Sequence, residues 1–169
     1  MKKNDNSNYW ALILGASSGF GEAAAIKLAE DGFNILGMHL DRQATMPNVE
    51  RIIEKIKSYG VRAEYFNVNA ADAVKREEII QDLKEMQGGK PLIKVLMHSL
   101  AFGTLKAFIP KEGETGVTKA QMEMTLDVMA NSLVYWVQDL VAEDMLARKA
   151  RIFAMTSSGG HTAIPYYGA

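Results

Sequence analysis

Short apolar runs alternate along this chain with longer segments whose apolar residues recur at helical spacing, a pattern that predicts strands and helices in strict succession. Strand one reads from Trp10 to Leu14, and a helix from about Gly21 to Glu30 ends at Asp31-Gly32, where glycine suits a left-handed cap. Strand two follows from Asn34 to His39. A helix opening near Thr45, with Pro47 in its first turn, sets Val49, Ile52, Ile53 and Ile56 on one face. Strand three is Ala63 to Val68, and the next helix runs from about Asp72 to Met86 with Ile79, Ile80, Leu83 and Met86 inward. Strand four is Leu92 to His98. An extended stretch from Ala101 to Val117 leads to a long helix carrying Leu126, Met129, Leu133, Trp136, Val137, Leu140 and Val141, and Arg151 to Thr156 forms strand five.

Strands separated in every case by a segment long enough for a crossover are expected to run parallel, with helices on both faces of the sheet. The predicted class is α/β, a doubly wound parallel sheet of Rossmann type. Right-handed crossovers and a glycine-rich turn after strand one give the order 3-2-1-4-5. Such sheets commonly add a sixth strand, and the sequence ends before one.

The glycine-rich turn is Gly15-Ala16-Ser17-Ser18-Gly19-Phe20-Gly21. Gly15 allows the tight turn, Gly19 lets the backbone approach a pyrophosphate, and Gly21 allows close packing of the helix, whose free N–H groups and dipole favour phosphate. A lone glycine pattern is also compatible with a plain strand-to-helix turn. Its setting among alternating strands favours a dinucleotide site, so residues 1–169 are read as a single dinucleotide-binding domain.

Composition narrows the choice of partners. A net charge of -1 supplies no field for nucleic acid or an anionic membrane, and a chain without cysteine has neither disulfides nor thiolate metal ligands. No metal site is expected. The N-terminal residues are polar, and the run from Trp10 is too short to span a membrane, so a soluble, cytoplasmic protein is expected.

The spacing Gly-x-x-x-Gly-x-Gly resembles the short-chain dehydrogenase/reductase family, and the resemblance covers essentially the whole chain. It implies a nicotinamide cofactor bound by Gly15, Ser17, Ser18, Gly19, Phe20 and Gly21. The acidic residue that selects NAD in the family falls here at His39, with Asp41 and Arg42 just beyond. Arg42 and Ser18 could meet a 2′-phosphate, so NADP(H) is favoured over NAD(H); a later strand end would let Asp41 reverse that choice. Asn67-Val68 stands where the family often has Asp-Val beside the adenine.

Three departures are informative. After strand four the chain reads His98-Ser99-Leu100-Ala101-Phe102, which looks like the NADPH-dependent enoyl-acyl-carrier-protein reductase branch; Ser99, Leu100 and Ala101 would then line the nicotinamide-ribose side. His98 itself fits a satisfied buried histidine better than a proton carrier. The family's active-site asparagine aligns with Met129, and Asn131 lies on another face of the helix. The catalytic serine, usually thirteen residues before the tyrosine, is replaced by Ala154, whereas Ser157 lies ten before Tyr167.

The resemblance therefore implies Tyr167 as the catalytic tyrosine, with Tyr166 as fallback, and Ser157 or Ser158 as polar groups of the pocket. A phenol placed at the thioester oxygen of a trans-2-enoyl thioester stabilises the charge that develops there. The expected substrate is an acyl thioester on acyl carrier protein or CoA, in fatty-acid synthesis. Alternatives are a carbonyl reductase or alcohol dehydrogenase on the same scaffold, and a non-catalytic nucleotide-binding protein. The family's lysine, four or seven residues past the tyrosine, would fall beyond Ala169, so the C-terminal part is expected to be missing. The family also suggests a homo-tetramer or dimer. Met122, Met124, Met129 and Met145 fit core packing better than an acyl pocket.

Overall fold

The computed structural model describes residues 6–162 and 164–167. Ala163 of the Ala-Ile-Pro segment, together with Gly168 and Ala169, lies outside the described residues. The strands are β1 (Trp10–Leu14), β2 (Asn34–His39), β3 (Ala63–Asn67), β4 (Ile93–His98) and β5 (Leu146–Ala154). The helices are α1 (Gly19–Glu30), α2 (Met46–Lys57), α3 (Ala73–Lys84), α4 (Lys119–Leu126) and α5 (Ser132–Ala142). The sheet is parallel in the order β3-β2-β1-β4-β5, as the crossover argument requires.

β1 is buried throughout and its alternating side chains feed two cores. Trp10, Leu12 and Leu14 join Ile79, Ile80 and Leu83 of α3 and Trp136 and Leu140 of α5. Ala11 and Ile13 join Ala25 and Ala29 of α1 and Ile52 and Ile56 of α2. The buried Trp136 indole donates to the Ala70 carbonyl at 2.9 Å, tying α5 to the loop after β3.

Two elements depart from the pattern expected of the sequence. β5 begins at Leu146, because Leu146 pairs with Ile93 before the chain makes an excursion and rejoins the ladder at Arg151 opposite Val95. Lys149 at the excursion has φ 60°, and the polar Arg148 and Lys149 hide the strand from an apolar-run reading. The long helix is also interrupted: α4 and α5 are joined by a π-helical turn at Asp127–Asn131. Among the described residues no helix is long and apolar enough to cross a membrane, and no cluster of three metal-ligating side chains occurs.

Candidate nucleotide-binding site

The site lies at the C-terminal ends of the strands, where the order reverses between β1 and β4. Gly15 leaves β1 with φ 90°, and its N–H and that of Ala16 both donate to the Met38 carbonyl at 2.9 Å. A Cβ on Gly15 would lie 2.4 Å from the Ser99 carbonyl oxygen, and one on Gly21 would lie 1.8 Å from the Gly15 carbonyl oxygen. The glycines thus let β1, α1 and the end of β4 meet at backbone contact. Gly19, φ 55°, has open space above it, and Ser18 opens α1 without a side-chain capping bond. The first turn of α1 therefore presents free N–H groups with the Ser18 hydroxyl beside them, a donor set that fits a pyrophosphate.

One cleft of about 250 Å³ brings together Gly15, Ser17, Ser18, His39, Val68, Ser99, Leu100 and Ala101 of the expected residues. It also draws in Leu40, Asn69, Ala70, Phe102 and Val128, which the sequence reading missed. Gly19 and Phe20 lie exposed at the start of α1, where Phe20 is 73% accessible, while Gly21 is buried beneath the turn.

At the end of β2 His39 is buried at the wall of the cleft. Its Nδ1 lies 3.0 Å from an Asp41 carboxylate oxygen. Burial by itself would raise the Asp41 pKa, but hydrogen bonding by Ser17, Thr45 and His39 outweighs it and holds the carboxyl below its ordinary value. Arg42 is exposed one residue further and makes no ion pair among the described residues. Asn67 is tied to the chain just beyond β2. Its Oδ1 accepts from the Asp41 N–H at 2.9 Å and its Nδ2 donates to the Asp41 carbonyl at 3.0 Å, so the amide braces the neighbouring strand end and does not line the cleft.

β4 delivers His98, buried, with Nε2 2.9 Å from Ser132 Oγ. Burial pushes its imidazole below the ordinary histidine pKa, while backbone hydrogen bonding works the other way. Beyond it, the loop packs on α4 at Gly103, whose Cβ would lie 2.7 Å from Thr125 Cγ2 and 3.4 Å from Met129 Sδ.

Ser157 and Tyr167 are not brought into this cleft. The Ser157 hydroxyl accepts from the Gly159 N–H at 3.2 Å, capping a short 3-10 turn at Ser158–Gly160. Tyr166 and Tyr167 are both exposed and line a separate cavity of about 830 Å³, faced by Phe108 and Ile109 from the loop after β4. That loop is joined to the tyrosine segment by a parallel bridge between Lys106 and Tyr167.

Comparison with known proteins accords with this geometry. A family profile described as Enoyl-(Acyl carrier protein) reductase matches residues 15–169. A 3-oxoacyl-[acyl-carrier-protein] reductase, FabG of Staphylococcus epidermidis, is 26% identical over 159 residues, covering 94% of this chain and 60% of the relative. The chain thus spans about three fifths of that relative's length. Among solved structures, the angucycline C-6 ketoreductase LanV with bound NADP superposes with a TM-score of 0.78 at 22% identity, over 97% of this chain and 62% of LanV. A short-chain dehydrogenase/reductase from Serratia marcescens gives 0.76 at 16% identity, over 95% and 60%. Sheet order, glycine loop and cleft, together with the profile match over residues 15–169, assign this chain to the short-chain dehydrogenase/reductase family.

Proposed function

We propose that this chain binds a reduced nicotinamide dinucleotide and serves the reduction of an acyl thioester. The observation that carries the proposal is the cleft itself, in which the α1 N-terminus, the two loop serines and the backbone-close glycines face the β4 segment Ser99-Leu100-Ala101. When bound there, the nicotinamide would supply hydride. Ser18 and the first-turn N–H groups of α1 would hold the pyrophosphate, with Ser17 tied to Asp41 beside them, and Ser99 to Ala101 would flank the nicotinamide ribose. NADPH is the preferred nucleotide: Arg42 is free to meet a 2′-phosphate, whereas Asp41 is already engaged by His39, Ser17 and Thr45.

For the reacting bond, we take the trans-2-enoyl C=C as the main reading. Met129 stands where an asparagine supports proton relay in the carbonyl reductases of the family, and Ala154 stands where their serine would be. The family profile carries the enoyl-reductase description as well. Tyr167 would hydrogen-bond the thioester oxygen as charge develops on it, with Ser157 as a polar neighbour of the pocket. This role requires the tyrosine segment to approach the nucleotide cleft.

The second reading, reduction of a 3-oxoacyl thioester, is the one the curated relatives' names support better. Parallel assay of the two thioesters with NADPH separates the readings. Absence of NADPH and NADH binding would contradict both.

A further inference from the structure

The π-helical turn between α4 and α5 has a specific hydrogen-bond signature. In an α-helix the Ser132 N–H would donate to the Val128 carbonyl, four residues back. Here it donates to the Asp127 carbonyl, five residues back, and the Ser132 hydroxyl donates to the Val128 carbonyl at 2.8 Å in its place. A hydroxyl has one proton, so Ser132 Oγ meets His98 Nε2, at 2.9 Å, as an acceptor. This assignment of the hydroxyl proton places a proton on the imidazole Nε2, and the run His98 to Ser132 to Val128 is then a polarised chain inside the protein. All of it is buried: His98 is 2% exposed, Ser132 0% and Val128 6%.

His98 also sits at a junction of strands. Its carbonyl accepts from the Met155 N–H at 2.9 Å, at the exit of β5 toward Ser157, and the next residue, Ser99, donates its N–H to the Leu14 carbonyl at 2.8 Å. Val128 in turn lines the nucleotide cleft with Ser99 and Leu100. Single π turns inside helices are uncommon and concentrate at functional sites.

We propose that His98 is a positioning residue for the nucleotide: by donating to Ser132 it holds the long helix in its wide turn and so fixes Val128 in the wall of the cleft. The inference rests on the dinucleotide reading above. It gives His98 no proton-transfer role, and it assigns Ser132, which no motif marks, to the same device.

The test is a fluorescence titration of NADPH into the full chain carrying His98→Phe or Ser132→Ala, the double substitution, and the conservative His98→Gln and Ser132→Thr. Removing either partner is expected to weaken binding about tenfold, the effect of losing one buried hydrogen bond, with the double variant no weaker than a single one. Gln at 98 keeps a donor at the Nε2 position and Thr at 132 keeps the hydroxyl, so both should bind within about twofold of the parent. Parent-like affinity in the Phe and Ala variants, failure of the conservative variants to restore it, or losses that multiply in the double variant would overturn the proposal. Amide exchange at 127–132 needs no nucleotide: faster exchange in Ser132→Ala is expected, and unchanged protection would also overturn it. A parent protein that binds neither NADPH nor NADH would contradict the dinucleotide reading, and the exchange result would still decide whether the pair holds the turn.

Discussion

Gly15 and Ser99 meet backbone to backbone: the Cβ that Gly15 lacks would stand 2.4 Å from the Ser99 carbonyl oxygen, and Gly15 itself holds φ 90°. The contact joins the first strand's exit to the segment after β4 and leaves no room for a side chain between them. Gly15→Ala combines that clash with an unfavourable backbone region, so it should lower stability by about 2 kcal/mol or more. Thermal unfolding measures the loss, and an unchanged melting temperature would contradict the packing described.

Tyr65 supplies a prediction of opposite sign. Its ring packs on Gly37, where a Cβ would lie 2.6 Å away, and its hydroxyl is buried without a hydrogen-bond partner among the described residues. Burial, and secondarily the charge of Glu22, push the phenol above its ordinary pKa. Tyr65→Phe removes the unsatisfied oxygen and keeps the ring, and should raise stability by about 1 kcal/mol. Gly37→Ala should destabilise in the same assay.

The two ends of β2 and β4 should give stability a pH dependence with two acid-side limbs. The His98 pKa is lowered from 6.5, so below that pH the unfolded chain takes up a proton that the native state refuses, and stability falls as pH drops from there toward the native pKa. The Asp41 pKa is lowered from 3.8, so its contribution is present above that value and is lost as pH falls from there through the native pKa. In denaturant melts as a function of pH, His98→Gln should flatten the upper limb and Asp41→Asn the lower one.

Arg42 and Asp41 make nucleotide choice measurable. Arg42→Ala should weaken NADPH about tenfold, the loss of one charge-assisted hydrogen bond, while NADH binding stays within about twofold. Equal losses for the two nucleotides would mean that Arg42 does not meet a 2′-phosphate.

The fold was legible because its signals are local. The strands opening at Trp10, Asn34, Ala63 and Ile93 are short and mostly apolar, and crossover length forces the parallel order. β5 was legible only from Arg151, since pairing with Ile93 recruits Leu146 across polar Arg148 and Lys149. The glycine loop announced the cleft, as its residues act through their own backbone. Other site features depend on distant partners. Asn67 is drawn to the Asp41 backbone from 26 positions away, and the π turn depends on His98 and Ser132, 34 apart, so periodicity in 119–142 reads as one continuous helix. Ser157 and Tyr167 are marked by spacing alone, and spacing does not specify how a loop approaches a cleft.

Nicotinamide oxidation decides which bond is reduced, with NADPH supplied to the purified protein alongside a trans-2-enoyl thioester in one reaction and a 3-oxoacyl thioester in another. With Met129 and Ala154 at the two departed positions, turnover of the enoyl thioester is predicted and the 3-oxo substrate should be left unreduced. Turnover of the 3-oxo thioester alone would contradict the enoyl reading and place the protein with the carbonyl reductases.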